Sequence, residues 1–236
     1  MMDASLDIRT GVKETMPTVF GYIGIALAFG IVGKAAGLSP LIVLLMSMFI
    51  YSGTAQFVVV SMFISHSPLL SIVLSTLLIS SRMILISVTV APYFKNDSLW
   101  KNILLGTFLT DESFALGMNK LNFTNHTLSF QWLNTANVIS FLTWCFWSFV
   151  GAIMGNFVGN PEALGLDFAI VGMFIGLLYM QVIADRSLNR KLQLIVIAFT
   201  LFLTYVGFIF IPSSLLILVV TLIGCGFGVV IKRAYF

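Results

Sequence analysis

Between residues 17 and 231 the chain returns repeatedly to apolar runs about 20 residues long, the length an α-helix needs to cross roughly 30 Å of hydrocarbon. They cover residues 17–37, 41–64, 69–94, 132–158, 166–184, 192–210 and 213–231, with a shorter run at 102–118 interrupted by Asp111 and Glu112. Without water, every backbone N–H and C=O in such a run must be satisfied within the segment, so the runs are expected to be helices. Of the 236 residues 59% are hydrophobic and 9% charged, too few polar groups to cover a water-soluble domain of this size. The fold class that follows is an all-α polytopic membrane protein with about eight transmembrane helices, or about seven if one crossing is lost.

The polar links at 95–101, 119–131, 159–165 and 185–191 are too short to be domains. Residues 1–236 therefore read as one integral membrane domain, preceded by a short cytoplasmic segment, 1–16, with no sign of a cleaved signal. Ser39-Pro40 and Ser67-Pro68 each place a hydroxyl before a proline, the signature of a helix start. With eight crossings and the N-terminus inside, Arg9, Lys13, Lys120, Arg186, Arg190, Lys191, Lys232 and Arg233 are cytoplasmic. Lys34, Lys95 and Lys101 then lie outside. Eight against three favours both termini in the cytoplasm, across a plasma or inner membrane.

Several function classes are disfavoured. The Lys and Arg residues are scattered over short connections rather than gathered on one face, so nucleic acid is not the expected partner. Cys145 and Cys225 sit in apolar runs without metal-ligand or disulfide spacing, and no metal or cofactor is expected. His66 and His126 lie at or beyond run ends, and neither HExxH nor a nucleophile elbow occurs, so the chain does not read as an enzyme. There is no G-x-x-x-x-G-K-[ST] stretch, so nucleotide chemistry would need another chain.

What stands out is polarity where hydrocarbon should be. Arg82 lies near the middle of the third run, where a charge costs about 2.5–3.5 kcal/mol and needs a compensating group. It shares a helical stripe with Ser75 and Thr89, with Ser71 one turn before Ser75. Asp111 and Glu112 occupy the fourth run, and adjacent helical residues point about 100° apart, so the two are expected to face different surroundings. One pairs with Arg82 and the other is left to exchange a proton; the sequence does not say which.

In the second run, Tyr51-Ser52-Gly53-Thr54-Ala55-Gln56-Phe57 gathers small and hydrogen-bonding residues within one and a half turns, which predicts a broken helix. Asp167 opens a later run. Met48-Phe49-Ile50 followed by Gln56 is echoed by Met173-Phe174-Ile175 followed by Gln181, each after a Gly-Leu pair. The echo suggests an internal repeat of three spans, one span, three spans and a final helix. Gly151, Gly155 and Gly159, and Gly224 and Gly228, have the spacing of close helix contacts.

Taken in order, the Tyr51–Phe57 stretch, Arg82, Thr110-Asp111-Glu112-Ser113-Phe114-Ala115 and Gly165-Leu166-Asp167-Phe168-Ala169 resemble the AzlC family, the large subunits of two-component branched-chain amino-acid exporters. The resemblance spans nearly the whole chain, with one departure: Ser80 stands where the family pattern has Asn two residues before the arginine. It implies export of Leu, Ile, Val and Met, a small AzlD-like membrane subunit as partner, and protons as coupling ion. The site residues would be Tyr51, Ser52, Gly53, Thr54, Gln56, Arg82, Asp111, Glu112, Asp167 and Gln181, working by alternating access. A passive channel or permease for another small solute is the other reading.

Overall fold

The computed structural model describes residues 5–157, 175, 178, 179, 182, 183, 189–211 and 213–235, and these form helices and turns without a strand. Two long helices are its spine, α1 (Ile8–Ala35) and α8 (Phe130–Met154). The Asp7 carboxylate caps α1 by accepting from the Thr10 N–H at 2.8 Å. The chain leaves α1 through Gly37, whose φ of +86° suits only glycine.

The two helices run parallel and in close contact. Gly11 lies against Trp132 and Thr135, Gly30 against the Ser148 backbone, Gly151 against Leu27, and Gly155 against Lys34. A Cβ added at Gly30 or Gly151 would run into a carbonyl oxygen of the other helix. Without a hydrophobic drive between helices in lipid, glycine contacts let dispersion and backbone approach hold the pair. Gly155 thus acts as its spacing predicts, while Gly159 lies outside the described residues.

Between the spine helices the second run is broken, as its small polar stretch predicts, into α2 (Pro40–Phe49) and α3 (Gly53–Ile64). Helices of 10 and 12 residues measure about 15–18 Å, half the hydrocarbon thickness. Their contacts show that the chain turns back. Val43 of α2 and Val60 of α3 share one buried cluster with Phe29, Leu38 and Ala152, and the Gln56 amide donates across to Ser47 Oγ at 3.3 Å. The open end of this hairpin lies beside Leu38, and its tip, Ile50–Ser52, lies at mid-spine beside Phe141 and Trp144.

The third run crosses as α4 (Leu69–Ser80) and α5 (Arg82–Val90), continued by a 3-10 turn to Phe94. Ser39 caps α2 by accepting from the Ile42 N–H at 3.3 Å, with Pro40 at the first turn. Ser67 caps nothing: its N–H instead closes the end of α3 on the Met62 carbonyl, with His66 at φ +52°, so α4 starts at Leu69.

The run at 102–118 is two helices, α6 (Leu99–Phe108) and α7 (Asp111–Leu121), and it too turns back. Lys101 sits over the Phe130 ring, Leu105 packs with Trp132 and Leu133, and Phe108 meets Phe141, so α6 follows α8 inward. α7 returns along α1, from Tyr22 beside Thr110 to Glu14 beside Lys120. The crossings among residues 5–157 are therefore α1, α4–α5 and α8. The runs at 41–64 and 102–118, expected to cross, are half-membrane hairpins entering from opposite faces.

Those directions move charges between faces. Lys95 and Lys101, expected opposite the N-terminus, lie on its side, because the preceding α2–α3 hairpin does not cross. Lys120, expected as a loop charge, is fully buried and paired with Glu14 at 2.7 Å. Trp132 Nε1 donates to the same carboxylate at 2.9 Å.

Beyond residue 189, α9 (Arg190–Phe210) and α10 (Ser213–Tyr235) form an antiparallel pair. Gly207 meets Leu216, Gly224 meets Thr200 and Gly228 meets Val196. α10 touches α4. The outward faces carry Phe20, Leu69, Leu77, Val88, Phe202 and Phe210, all strongly exposed, as a lipid-facing surface requires. The proposed second repeat falls mostly outside the described residues.

Candidate functional site

Three interruptions meet at the centre of the spine: the tip of α2–α3, the join at Ser81 between α4 and α5, and the tip of α6–α7. They enclose a cavity of about 20 Å³ lined by Tyr22, Tyr51, Ser52, Gly53, Thr54, Arg82, Met83, Thr110, Asp111, Glu112 and Trp144. That volume admits a water molecule or two but lies far below the roughly 300–1,000 Å³ of ordinary ligand pockets.

Arg82, the first residue of α5, joins both hairpins. Its Nη2 lies 2.8 Å from Asp111 Oδ2 and donates to Thr54 Oγ1 at 3.3 Å. Glu112 is engaged elsewhere: Tyr22 Oη donates to its Oε2 at 2.7 Å. The division of labour between the two carboxylates is thus resolved in the structure, with Asp111 on the guanidinium and Glu112 on a phenol.

Both carboxylates nevertheless line one cavity, against the expectation from their 100° separation. The cavity lies at the end of the α7 axis rather than beside it. Helical Cα–Cβ bonds tilt toward the N-terminus, so first-turn side chains converge there. Thr110 and Ser113 hold that end in a capping box, with Thr110 N–H donating to Ser113 Oγ at 2.9 Å and Ser113 N–H to Thr110 Oγ1 at 3.3 Å. The N-terminus of α3, at Ser52–Gly53, meets it from the other hairpin.

Ser52 Oγ and Tyr51 Oη are buried without a hydrogen-bond partner, although the Tyr51 ring is seated edge-on against Phe141 at 5.0 Å. Gln56 does not line the cavity. It is fully buried behind it, where its Oε1 accepts from Trp144 Nε1 at 2.9 Å, so it positions the indole. Ser71 and Ser75 are not among the cavity residues, and Thr89 is exposed and bonded to the Leu85 carbonyl. Asp167 and Gln181 lie outside the described residues.

Sequence reasoning missed Tyr22, Met83, Thr110 and Trp144 as cavity residues. Tyr and Trp normally mark the membrane interface, so an aromatic with a polar tip inside a run is the signal that could have found Tyr22 and Trp144, while Met83 and Thr110 carry none beyond their places beside Arg82 and Asp111. The Glu14–Lys120 pair left no such signal, since both residues read as ordinary flanking charges.

An all-helical chain with lipid-facing helices and a charged centre built from half-membrane hairpins is a polytopic membrane protein. The chain belongs to the AzlC family, whose model, described as AzlC protein, matches residues 17–158. It is 31% identical to the inner membrane protein YgaZ of Escherichia coli, over 82% of this chain and 78% of that one. It is 23% identical to the branched-chain amino acid transport protein AzlC of Bacillus subtilis, over 76% of this chain and 69% of the relative. An uncharacterized membrane protein of Helicobacter pylori is 27% identical, over 81% and 82% of the two chains. No solved structure matches the chain.

Proposed function

We propose that this protein exports the branched-chain amino acids Leu, Ile and Val, and with them Met, by proton-driven alternating access together with a small AzlD-like subunit. The observation that carries the reading is the meeting of two opposed hairpins on the Arg82–Asp111 pair. A zwitterion needs a cation, an anion and an apolar wall at one place. Arg82 supplies the first, with the N–H groups at the start of α3. Asp111 supplies the second, and Met83 and Trp144 the third. The name of the Bacillus subtilis relative supports the substrate class.

The small cavity makes hairpin movement part of the mechanism. Parting α6–α7 from the spine opens the site to the N-terminal face, and parting α2–α3 opens it to the other. The N-terminal face carries Arg9, Lys13, Lys95 and Lys101, against Lys34 opposite, which favours a cytoplasmic N-terminal face in the cell membrane. Glu112, the carboxylate not paired with Arg82, is the proton carrier.

The test is efflux of preloaded labelled leucine, valine and methionine from cells lacking their own exporters, with and without this chain, its small partner and an uncoupler. Uncoupler-sensitive efflux that requires the chain supports the reading. A second reading, a passive pore, is favoured by the opposed half-helix N-termini, a geometry that also lines channels; efflux that stops at equal concentrations and ignores the uncoupler selects it. No efflux of any of the three, with chain and partner both in the membrane, overturns the substrate assignment.

A further inference from the structure

Away from the central cavity, α8 buries polar atoms that the transport site does not use. Asn137 is fully buried; its Nδ2 donates to the Leu105 carbonyl at 3.2 Å, which fixes the amide orientation and leaves Oδ1 without a partner. Ser140, one turn on and 1% exposed, leaves Oγ without a partner. Asn134 Oδ1, one turn back, is buried in the same condition. The three residues follow at intervals of three along one side of the helix.

Ser140 departs from its neighbours in a telling way. Thr135, Thr143 and Ser148 on the same helix all donate to the carbonyl four residues back, at 2.6, 2.8 and 2.7 Å. The Ser140 hydroxyl does not take that bond, which leaves its oxygen buried with no partner in the protein. Its neighbour Phe141 carries the Tyr51 ring, whose own Oη is unpartnered at the edge of the cavity. The unsatisfied atoms thus run from the hairpin tip toward the N-terminal face, beside α6. Three buried polar atoms within two turns need partners, and water is the partner small enough to reach them.

We propose that bound water runs in file along Asn134, Asn137 and Ser140, between α8 and the α6–α7 hairpin, and carries protons between the N-terminal face and Glu112. This rests on the proton-coupled reading above. The groups facing Glu112 are Tyr22 from α1, Tyr51 from the opposite tip, Arg82 from α5 and Asp111 beside it. Tyr22 is bonded to it directly and Arg82 is held by Asp111, leaving Glu112 as the carboxylate able to receive a proton from the file.

Two measurements test it. Radiolytic hydroxyl-radical labelling of the purified full-length protein oxidises buried side chains only where bound water lies beside them. Leu133 is 1% exposed, so its labelling in the native protein and its loss in Ser140→Val report the file directly. Absence of label at Leu133 and Phe141 in the native protein overturns the proposal. In cells, Ser140→Val should lower uncoupler-sensitive net efflux about tenfold or more while one-for-one amino-acid exchange, which needs no net proton movement, stays unchanged. Ser140→Ala, which leaves room for water, should behave as the native protein. Full net efflux in Ser140→Val overturns the proton route, whereas a native protein that shows neither net efflux nor exchange overturns the transport reading and leaves the labelling to decide the file.

Discussion

Arg82 Nη2 and Asp111 Oδ2, 2.8 Å apart, connect a crossing helix to the tip of a half-membrane hairpin that α1 also holds there through Tyr22. Asp111→Asn keeps the shape and removes one negative charge from beside a half-buried guanidinium. A charge-assisted bond of this kind is worth about 1.5–3 kcal/mol. Leucine efflux should fall by about tenfold or more, and a double-mutant cycle with Arg82→Gln on unfolding in detergent should show coupling of about that size. Coupling near zero would separate the pair from the site.

Glu112 is held by the Tyr22 hydroxyl and not by Arg82. Glu112→Gln keeps the hydrogen bond from Tyr22 but cannot exchange a proton. Exchange should survive and lose its dependence on external pH, while net efflux should stop. An unchanged pH profile of exchange would show that the proton is carried elsewhere.

The parallel packing of α1 on α8 predicts opposite effects for chemically identical substitutions. A Cβ at Gly30 would strike the Ser148 carbonyl and the Gly151–Ala152 backbone, neither of which can move aside cheaply. Gly30→Ala should destabilise the protein by about 1–3 kcal/mol, the usual range for overpacking. Gly24, with nothing within 4 Å of the added atom, should gain stability on Gly24→Ala by up to about 1 kcal/mol from helix propensity. Thermal unfolding in detergent distinguishes the two.

The Glu14–Lys120 pair is buried on both sides, 6% and 0% exposed. Removing one partner leaves a buried charge, so Lys120→Met alone should cost about 3–5 kcal/mol. The double variant with Glu14→Gln, which still accepts from Trp132 Nε1, should recover most of it. The same unfolding assay checks the recovery.

Hairpins that turn back put Ser98 and Asn125 on one face and His66 on the other. A chain crossing at every run would separate Ser98 from Asn125. In a background with the exposed Cys225 replaced by Ala, cysteines at positions 98 and 125 should react with a membrane-impermeant maleimide from the same side, and one at 66 from the opposite side.

Much of the site was legible in the chain because an arginine at mid-run is too costly to be accidental, and its acidic partners are few. The break at Tyr51–Phe57 was legible because small residues and hydroxyls there release the backbone from a continuous helix. Gln56 was read as a binding residue because its spacing is the same whether it points into the cavity or behind it. Its bonds with the Trp144 indole and the Ser47 hydroxyl distinguish the two.

The sequence by itself determined the solvent, the helical class and the need for a charged centre, since composition and hydropathy report directly on what each segment must avoid. Tertiary structure decided whether a broken run continues or turns back. A break looks the same in both cases, and the direction is set by distant partners: Val43 and Val60 sharing Phe29 and Ala152, and Lys120 reaching Glu14. It likewise decided which carboxylate holds Arg82, because Asp111 and Glu112 are adjacent in sequence and differ only in what stands opposite them.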